Sequence, residues 1–351
     1  MMHDYLLKML KQTGNATSGW AVIFDKTKNE YKLTKDGKVT LTKQNGTVVS
    51  VWKENSDGTF TNGDVTVKVG DKVNYDEGTG YSTTVEASKS GNTTDKTYTT
   101  ENLGWRVLGI STKGELELIS DNPTSTYLYL VGKEGYLNAE DILNNMCKEL
   151  YGQGEHATGA RSLNVEDINK LANYDPTTYN GYGDIWTYRF PTSGKYMQYK
   201  RTKADGTLVK DWTNITDTDS QTFEIPGDTE AEQISADNRN DTGRSFEYTY
   251  YVYDVADKVK QTTSDGKKMS DIILKGTESN VAGQWLASRC VYCNSINASF
   301  HVRYVFGSVL NHQLAYSSGG GNSNGDRVRP VVSLESSTQL SGNSADGWTI
   351  N

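Results

Sequence analysis

The sequence predicts an α+β protein in which short antiparallel strands outnumber the helices. Three observations lead to this prediction: many short runs of β-branched or alternating residues, turn dipeptides such as Asn-Gly and Asp-Gly between them, and only two long segments with helical apolar spacing. Gly (34) and Tyr (22) are abundant while Pro (5) is rare, a composition that favours a loop-rich β protein with a polar surface.

Composition and charge argue against several classes of protein. The 351 residues carry a net charge of −8, which makes nucleic acid an unfavourable partner. No apolar run reaches the ~18 residues that a membrane helix needs, and the first residues lack the basic and apolar regions of a signal peptide. The three cysteines, Cys147, Cys290 and Cys293, do not make a disulfide framework.

The N-terminal part predicts a small β-rich module over residues 1–63. Residues 4–12 have the apolar spacing of a short leading helix. Strands are predicted where residues alternate or are β-branched, at 22–24, 31–33, 38–41 and 48–52. Turn dipeptides separate the runs, at 36–37, 45–46, 57–58 and 62–63.

A second unit is predicted over residues 64–336. After a polar stretch at 79–100, a hairpin is expected over 105–110 and 116–119, with its turn at Lys113-Gly114. A helix is then predicted over 139–151, with Asn138 as its cap. Its apolar stripe is Ile142, Leu143, Met146, Cys147 and Leu150.

Further elements follow in the second half of the chain. Asn164 is expected to cap a second helix near 165–173, because Asp167 stands at the third helical position. Residues 176–245 are predicted to be a long polar insertion, with strands around 186–190 and 196–200. Later elements are a strand at 246–253, a helical turn at 270–274, short strands over 285–334 and a C-terminal tail at 337–351.

Residues 286–334 have an unusual composition. This window of 49 residues contains no Lys, Glu, Met or Trp, whereas about nine would be expected at the rate of the remaining chain. An Asn codon whose adenines are randomised can never encode these four residues or Gln, and Gln313 is the one Gln present. The composition therefore favours a segment diversified at adenines over a merely polar β surface, and we call it the variable window.

Candidate catalytic and metal-ligating residues are weak. Cys290 and Cys293 form one C-x-x-C, which is half of a zinc site or a redox motif, and two thiols on a loop are the simpler interpretation. His156, His301 and His312 have no accompanying nucleophile motif. We therefore expect no catalytic residue, no metal and no cofactor.

Several motifs carry a resemblance. Residues 284–289 (QWLASR), 298–303 (ASFHVR) and 327–334 (RVRPVVSL) look like the C-terminal half of a C-type-lectin-like domain. More closely, they resemble the formylglycine-generating-enzyme-like branch used by variable proteins of diversity-generating retroelements in gut Firmicutes and their phages. Residues 103–109 (LGWRVLG) and 160–168 (ARSLNVEDI) are also similar to such domains.

The resemblance implies a non-enzymatic receptor or adhesin that displays a hypervariable ligand-binding face on a rigid scaffold. Its partner would be a protein or glycan on another cell, host or phage surface, and its location the cell surface, the extracellular space or a phage particle. Relatives often begin with a pilin-like hydrophobic helix that this sequence lacks, so no anchoring segment is expected here. The alternatives are a passive subunit of a pilus or phage tail and a formylglycine-generating oxidase, whose copper site would need the cysteine pair.

The predicted ligand-binding residues all lie in the variable window. They are Cys290, Tyr292, Cys293, Asn294, Ile296, Asn297, Ser299, His301, Tyr304, Phe306, Leu310, Asn311, His312, Ala315, Tyr316, Ser318, Asn324 and Asp326. Strand alternation would place Ser299, His301 and Arg303 on one face, and we expect the binding positions to form one exposed surface with Tyr292, Tyr304 and Phe306 as anchors. Trp105 and Trp285 are expected to be buried. The window's apolar residues, such as Val302 and Val305, are expected to fill the core.

Overall fold

The fold was analysed in a computed structural model, which describes residues 20–25, 30–35, 38–44, 47–174, 184–189, 198–203, 207–214, 245–248, 253–277, 283–293, 298–317, 320–321 and 323–351. Over these residues the protein is mixed α+β, with mostly strands and few helices, in agreement with the predicted class. The helices are α1 (Ala87–Ser90), α2 (Gly132–Tyr151), α3 (Val165–Ala172), α4 (Val255–Lys258) and α5 (Met269–Leu274).

The strands fall into several sheets. Up to residue 174 they are β1 (Trp20–Asp25), β2 (Glu30–Lys35), β3 (Lys38–Gln44), β4 (Thr47–Ser50), β5 (Lys53–Glu54), β6 (Thr59–Asn62), β7 (Val65–Lys68), β8 (Lys72–Asn74), β9 (Ser82–Val85), β10 (Lys96–Thr99), β11 (Trp105–Ile110), β12 (Leu116–Ser120), β13 (Leu128–Val131) and β14 (Ala157–Ser162). Beyond it they are β15 (Asp184–Arg189), β16 (Gln198–Lys203), β17 (Leu208–Asn214), β18 (Ser245–Tyr248), β19 (Tyr253–Asp254), β20 (Gly283–Cys293), β21 (Ala298–Phe306), β22 (Val309–Ser317), β23 (Gly320–Gly321), β24 (Ser323–Asp326), β25 (Pro330–Leu334), β26 (Leu340–Asn343) and β27 (Gly347–Ile350).

A seven-stranded sheet of order β14-β25-β12-β11-β8-β27-β26 lies at the centre of the fold. The side chains of neighbouring residues in one strand pack in different hydrophobic cores, so both faces of the sheet are covered. Leu118 and Val332 belong to the core formed with α2, which we call the α2-side core. Ile119 and Val331 belong to a second core formed with α3, α4 and α5, the α3-side core. Burial of both faces explains why the central strands β11, β12 and β25 are mostly apolar.

Helix α2 confirms the predicted apolar stripe but begins earlier than predicted. All five stripe residues are buried, whereas the helix begins at Gly132, so that Asn138 lies inside it rather than capping it. Gly132 has a positive φ of 64°, and a Cβ at Gly135 would lie 2.8 Å from the carbonyl carbon of Leu130. Glycine is a poor helix former, so close packing on β13, rather than local propensity, sets this first turn.

Helix α3 confirms the cap predicted from the sequence. The Asn164 side chain accepts a hydrogen bond from the Asp167 amide at 2.9 Å, and the Asp167 carboxylate accepts one from the Asn164 amide at 3.0 Å. Asp167 also pairs with Arg161 at 2.6 Å, which ties the start of the helix to β14. Val165, Ile168 and Leu171 are buried as expected.

We expect Asn164→Ala to lower the free energy of unfolding by about 1 kcal/mol, because it removes the acceptor for an otherwise orphaned amide at the start of α3. Urea denaturation followed by circular dichroism would measure the change. Asn145→Ala is the matched control, since Asn145 is exposed to solvent inside α2. An equal loss in both variants would contradict a capping role for Asn164.

Other predictions meet mixed outcomes. The hairpin of β11 and β12 is confirmed, with Gly114 at φ 74° in its turn. The polar stretch 79–100, for which no elements were predicted, contains the hairpin of β9 and β10 together with α1. The boundary after residue 63 falls inside the hairpin of β6 and β7, and the supposed tail contributes β26 and β27 to the central sheet.

The first residues and the polar insertion are described in part. The helix expected over residues 4–12 lies outside the described residues. Strands β1 to β4 form an antiparallel sheet where four strands were predicted. In the insertion, β15 and β16 agree with the two predicted strands, and they pair in a sheet of order β17-β16-β15-β18.

Candidate functional site

Three long strands, β20, β21 and β22, hold most of the variable window. They pair antiparallel as consecutive neighbours, with β19 at one edge and β23 beside β22. The prediction of short strands here is wrong, since β20 spans 11 residues and β21 and β22 span nine each. We call these three strands the display sheet. Helix α2 packs beside it, where the Glu140 carboxylate accepts a hydrogen bond from the Arg289 amide at 3.0 Å.

The register of the display sheet brings predicted binding positions together along the backbone. Cys290 is opposite His301, and Tyr292 is opposite Ser299. On the other side of β21, Tyr304 is opposite Asn311 and Phe300 is opposite Tyr316. Positions separated by up to 16 residues are therefore direct neighbours on adjacent strands, which are ~5 Å apart.

Two of the predicted anchors form an aromatic row with a core tryptophan. The rings of Tyr304 and Phe306 lie 5.7 Å apart, and the rings of Trp285 and Tyr304 lie 6.2 Å apart. Tyr304 and Phe306 are half-buried, so each ring is held by neighbours and keeps part of its surface exposed to solvent. Rigid aromatic side chains of this kind give contact area at a low cost in conformational entropy.

Three predicted binding residues are buried, so the expectation of solvent exposure is wrong for His301, Leu310 and Asp326. The display sheet is covered on both sides in this region: Val302 belongs to the α2-side core, whereas Val305 belongs to the α3-side core. His301 shares its face with Val305, because side chains two residues apart point the same way. Successive side chains of β21 therefore point alternately into two cores, rather than alternately into a core and into solvent.

The remaining predicted positions are described less completely. For Cys290, Tyr292, Cys293, Ser299, Asn311, His312, Ala315, Tyr316 and Asn324 the backbone belongs to described strands, and their side chains lie outside the described part. Asn294, Ile296, Asn297 and Ser318 lie outside the described residues altogether. Their role in binding stays a prediction.

Asp326 lies under the aromatic row, where β24 meets β13. Its Oδ1 accepts a hydrogen bond from the Gly283 amide at 2.6 Å, while Oδ2 is buried and has no hydrogen-bond partner among the residues that the structure describes. Burial raises the pKa of the Asp326 carboxyl to about 6. Burial, and then the charge of Asp326, raise the pKa of the Tyr304 hydroxyl to about 12.

A buried polar cluster fixes the base of the display sheet. The Arg329 guanidinium donates through Nε to Gln284 Oε1 at 2.8 Å and through Nη1 to the Ser120 carbonyl at 2.6 Å, and Gln284 in turn donates to the Lys275 carbonyl. Burial among these neutral acceptors lowers the pKa of Arg329 to about 9. Trp285, which is 1% exposed, donates from Nε1 to the Leu128 carbonyl at 2.8 Å. The predicted burial of Trp285, and of Trp105 at 3%, is confirmed.

Sequence reasoning missed an aromatic and cationic patch at the border of the variable window, formed by Tyr127, Tyr129 and Lys96 outside the window and by Arg327 within it. Tyr129 on β13 is 39% exposed, and the Lys96 ammonium lies 5.4 Å from the centre of its ring. The Arg327 guanidinium lies 5.6 Å from the ring centre of Tyr127. Because Tyr129 is opposite Gly325 of β24, this patch borders the variable window. The spacing of the two tyrosines is the signal that could have indicated it.

The cysteine pair lies on β20 rather than on a loop, so the prediction of a loop is wrong. A redox motif of the thioredoxin type opens a helix, and no helix begins at these residues. Among the described residues, no three His, Cys, Asp or Glu side chains could together hold a metal ion. In the same part of the chain, no helix has the length and apolar character needed to cross a membrane.

Comparison with protein-family models, with curated proteins and with solved structures finds no match to this chain.

Proposed function

We propose that this chain is a non-enzymatic ligand-binding protein, a receptor or adhesin, whose binding surface is the solvent-accessible part of the display sheet. One observation carries the proposal: the window that lacks Lys, Glu, Met and Trp supplies most of three adjacent strands. A segment diversified for binding must bring its changed positions together on one surface. Neighbouring strands do so for residues that are distant in sequence.

The anchoring of the sheet supports the proposal. Trp285, Gln284 and Arg329 hold the two ends of the window through buried hydrogen bonds. Substitutions elsewhere on the strands would leave these contacts unchanged. A wrong substitution in the core typically costs about 2–5 kcal/mol of stability. Substitutions at exposed positions leave the core contacts intact, so a scaffold of this kind tolerates them.

The three predicted binding residues that are buried are excluded from the proposed binding surface. His301, Leu310 and Asp326 belong to the scaffold, whereas Tyr304 and Phe306 present partly exposed rings at the edge of the surface. Tyr129 and Lys96 extend the surface with residues that lie outside the variable window. The partner that suits this combination is a protein or glycan on another cell, host or phage.

The proposal also covers the family to which the domain belongs. We infer a C-type-lectin-like domain of the kind that diversity-generating retroelements vary, because motifs at both ends of the window resemble that family. A reverse-transcriptase gene beside the coding sequence, together with a near-copy repeat of the window that differs from it at adenines, is the expected genomic finding. A passive pilus or tail subunit would have neither.

Removing four predicted contact side chains should abolish binding without unfolding the protein. The variant combines Tyr292→Ala, Asn311→Ala, His312→Ala and Tyr316→Ala, and is tested against the ligand that the unaltered chain selects from glycan and cell-surface protein arrays. We expect affinity to fall by at least about a hundredfold, because aromatic residues dominate binding hot spots, while the melting temperature changes by only a few degrees. Leu208→Ala with Val209→Ala, at exposed positions of β17, is the control. Unchanged binding by the fourfold variant would refute the proposed surface.

A further inference from the structure

A polar cavity of about 530 Å³ lies on a different part of the molecule from the display sheet. Its walls come from β8 and the residues that follow it, from the segment leading into β11, and from the loop after α2. None of its lining residues belongs to β20, β21, β22 or β24. The volume is in the range of cavities that hold small organic molecules.

The charged side chains that line this cavity are mainly acidic. Four carboxylates line it, those of Asp76, Glu77, Glu101 and Glu155, and no lysine or arginine is among its lining residues in the described part of the chain. His156 also lines the cavity, with its Nε2 3.9 Å from Glu155 Oε1, and it carries a positive charge only when it is protonated. The site therefore presents a concentrated negative charge that a cationic ligand would neutralise.

Glu77 shows that the negative charge is held in place. The residue is only 6% exposed, and its Oε2 accepts a hydrogen bond from Trp105 Nε1 at 2.9 Å. Its other oxygen, Oε1, has no hydrogen-bond partner among the described residues and is not one of their fully buried polar atoms, and Glu77 is one of the residues that line the cavity. A carboxylate that is nine-tenths buried with one free oxygen facing a cavity lacks the donor that buried acceptors normally have.

The wall behind Glu77 is rigid. The Trp105 ring packs edge-on against Tyr75 at 5.2 Å and against Tyr151 at 6.0 Å. The Tyr75 hydroxyl donates to the Tyr151 carbonyl at 2.7 Å, which fixes the aromatic cluster to the end of α2. Because the Trp105 ring that donates to its carboxylate cannot move, Glu77 is oriented before any ligand arrives, and this reduces the entropy cost of binding.

We propose that this cavity binds an organic ammonium ligand, a diamine or polyamine, with one ammonium group on Glu77 and a second on the carboxylates of the rim. An ammonium group has three donors and suits a carboxylate whose second oxygen is free. A metal ion fits less well, because no three of the described acidic or histidine side chains converge closely enough to hold one. Charges spread around a cavity match a ligand whose own charges are separated.

The test is a titration of the full chain with spermidine, monitored by the ¹H–¹⁵N signal of the Trp105 indole and by calorimetry. We expect saturable binding with a dissociation constant of roughly 1 mM or tighter at low salt, and a shift of the Trp105 signal. Glu77→Gln should weaken binding at least tenfold, since the amide oxygen keeps the bond from Trp105 while the charge is lost. Glu155→Gln, at a side chain that is 91% exposed, tests the rim without risk to folding.

Glu166→Gln is the matched control, because Glu166 is an exposed acid outside the cavity and its replacement changes the net charge equally. Equal weakening by Glu166→Gln and Glu77→Gln would reduce the effect to overall charge and overturn the proposal. So would a Trp105 signal that spermidine leaves unmoved, or one that calcium shifts at lower concentration. Cadaverine and N-acetyl-lysine amide separate a diamine from a single lysine-like group, and equal affinity for both would also contradict the two-point contact.

Discussion

Trp285→Ala is expected to lower the free energy of unfolding by about 4 kcal/mol, the largest effect of any single substitution considered for this protein. The Trp285 side chain is buried in the α2-side core and touches the Tyr304 ring. Its removal leaves a cavity and also leaves the Leu128 carbonyl without its donor. Chemical denaturation monitored by far-ultraviolet circular dichroism gives the value.

Trp285→Phe separates the two contributions. Phenylalanine keeps most of the apolar area but cannot donate to Leu128, so we expect a smaller loss of about 1–3 kcal/mol. Equal losses for Trp285→Ala and Trp285→Phe would mean that the hydrogen bond, and not packing, fixes β20 to β13. A loss below ~1 kcal/mol for Trp285→Ala would contradict the placement of Trp285 in the core.

Asp326→Asn is expected to change how stability depends on pH. The folded-state pKa of Asp326 is raised from 3.8 to about 6 by burial, so the folded protein holds this proton more tightly than the unfolded chain does. The stability that comes from this proton is therefore fully present below pH ~4, where Asp326 is protonated in both the folded and the unfolded state. It is lost as pH rises through 6. The asparagine variant keeps the acceptor for the Gly283 amide and cannot ionise.

The expected difference is large enough to measure. Relative to the unaltered chain, Asp326→Asn should gain up to about 3 kcal/mol of stability between pH 4 and pH 7.5, since one pKa unit corresponds to ~1.4 kcal/mol. Asp141→Asn, at an exposed position of α2, is the control and should show no such trend. A constant difference between Asp326→Asn and the unaltered chain across this pH range would show that Asp326 titrates normally.

Parts of the candidate site could be predicted because they depend on local chemistry. The missing Lys, Glu, Met and Trp marked the variable window, and that window forms most of one sheet. The solvent exposure of individual side chains within the window could not be predicted in this way. His301 and Leu310 were expected at the surface, yet α3, α4 and α5 cover that side of the display sheet. The cavity around Glu77 could not be predicted, because its walls come from segments distant in sequence.

The sequence by itself determined the local structure of this protein. The apolar stripe of α2, the Asn164 cap of α3 and the turn at Gly114 follow from side-chain spacing and backbone preferences that act over a few residues. Only the tertiary structure decided where α2 begins, that β21 is covered on both faces, and that one oxygen of Asp326 has no hydrogen-bond partner among the described residues. The reason is physical: burial and desolvation depend on what packs against a residue, and strands and helices far apart in the chain supply that packing.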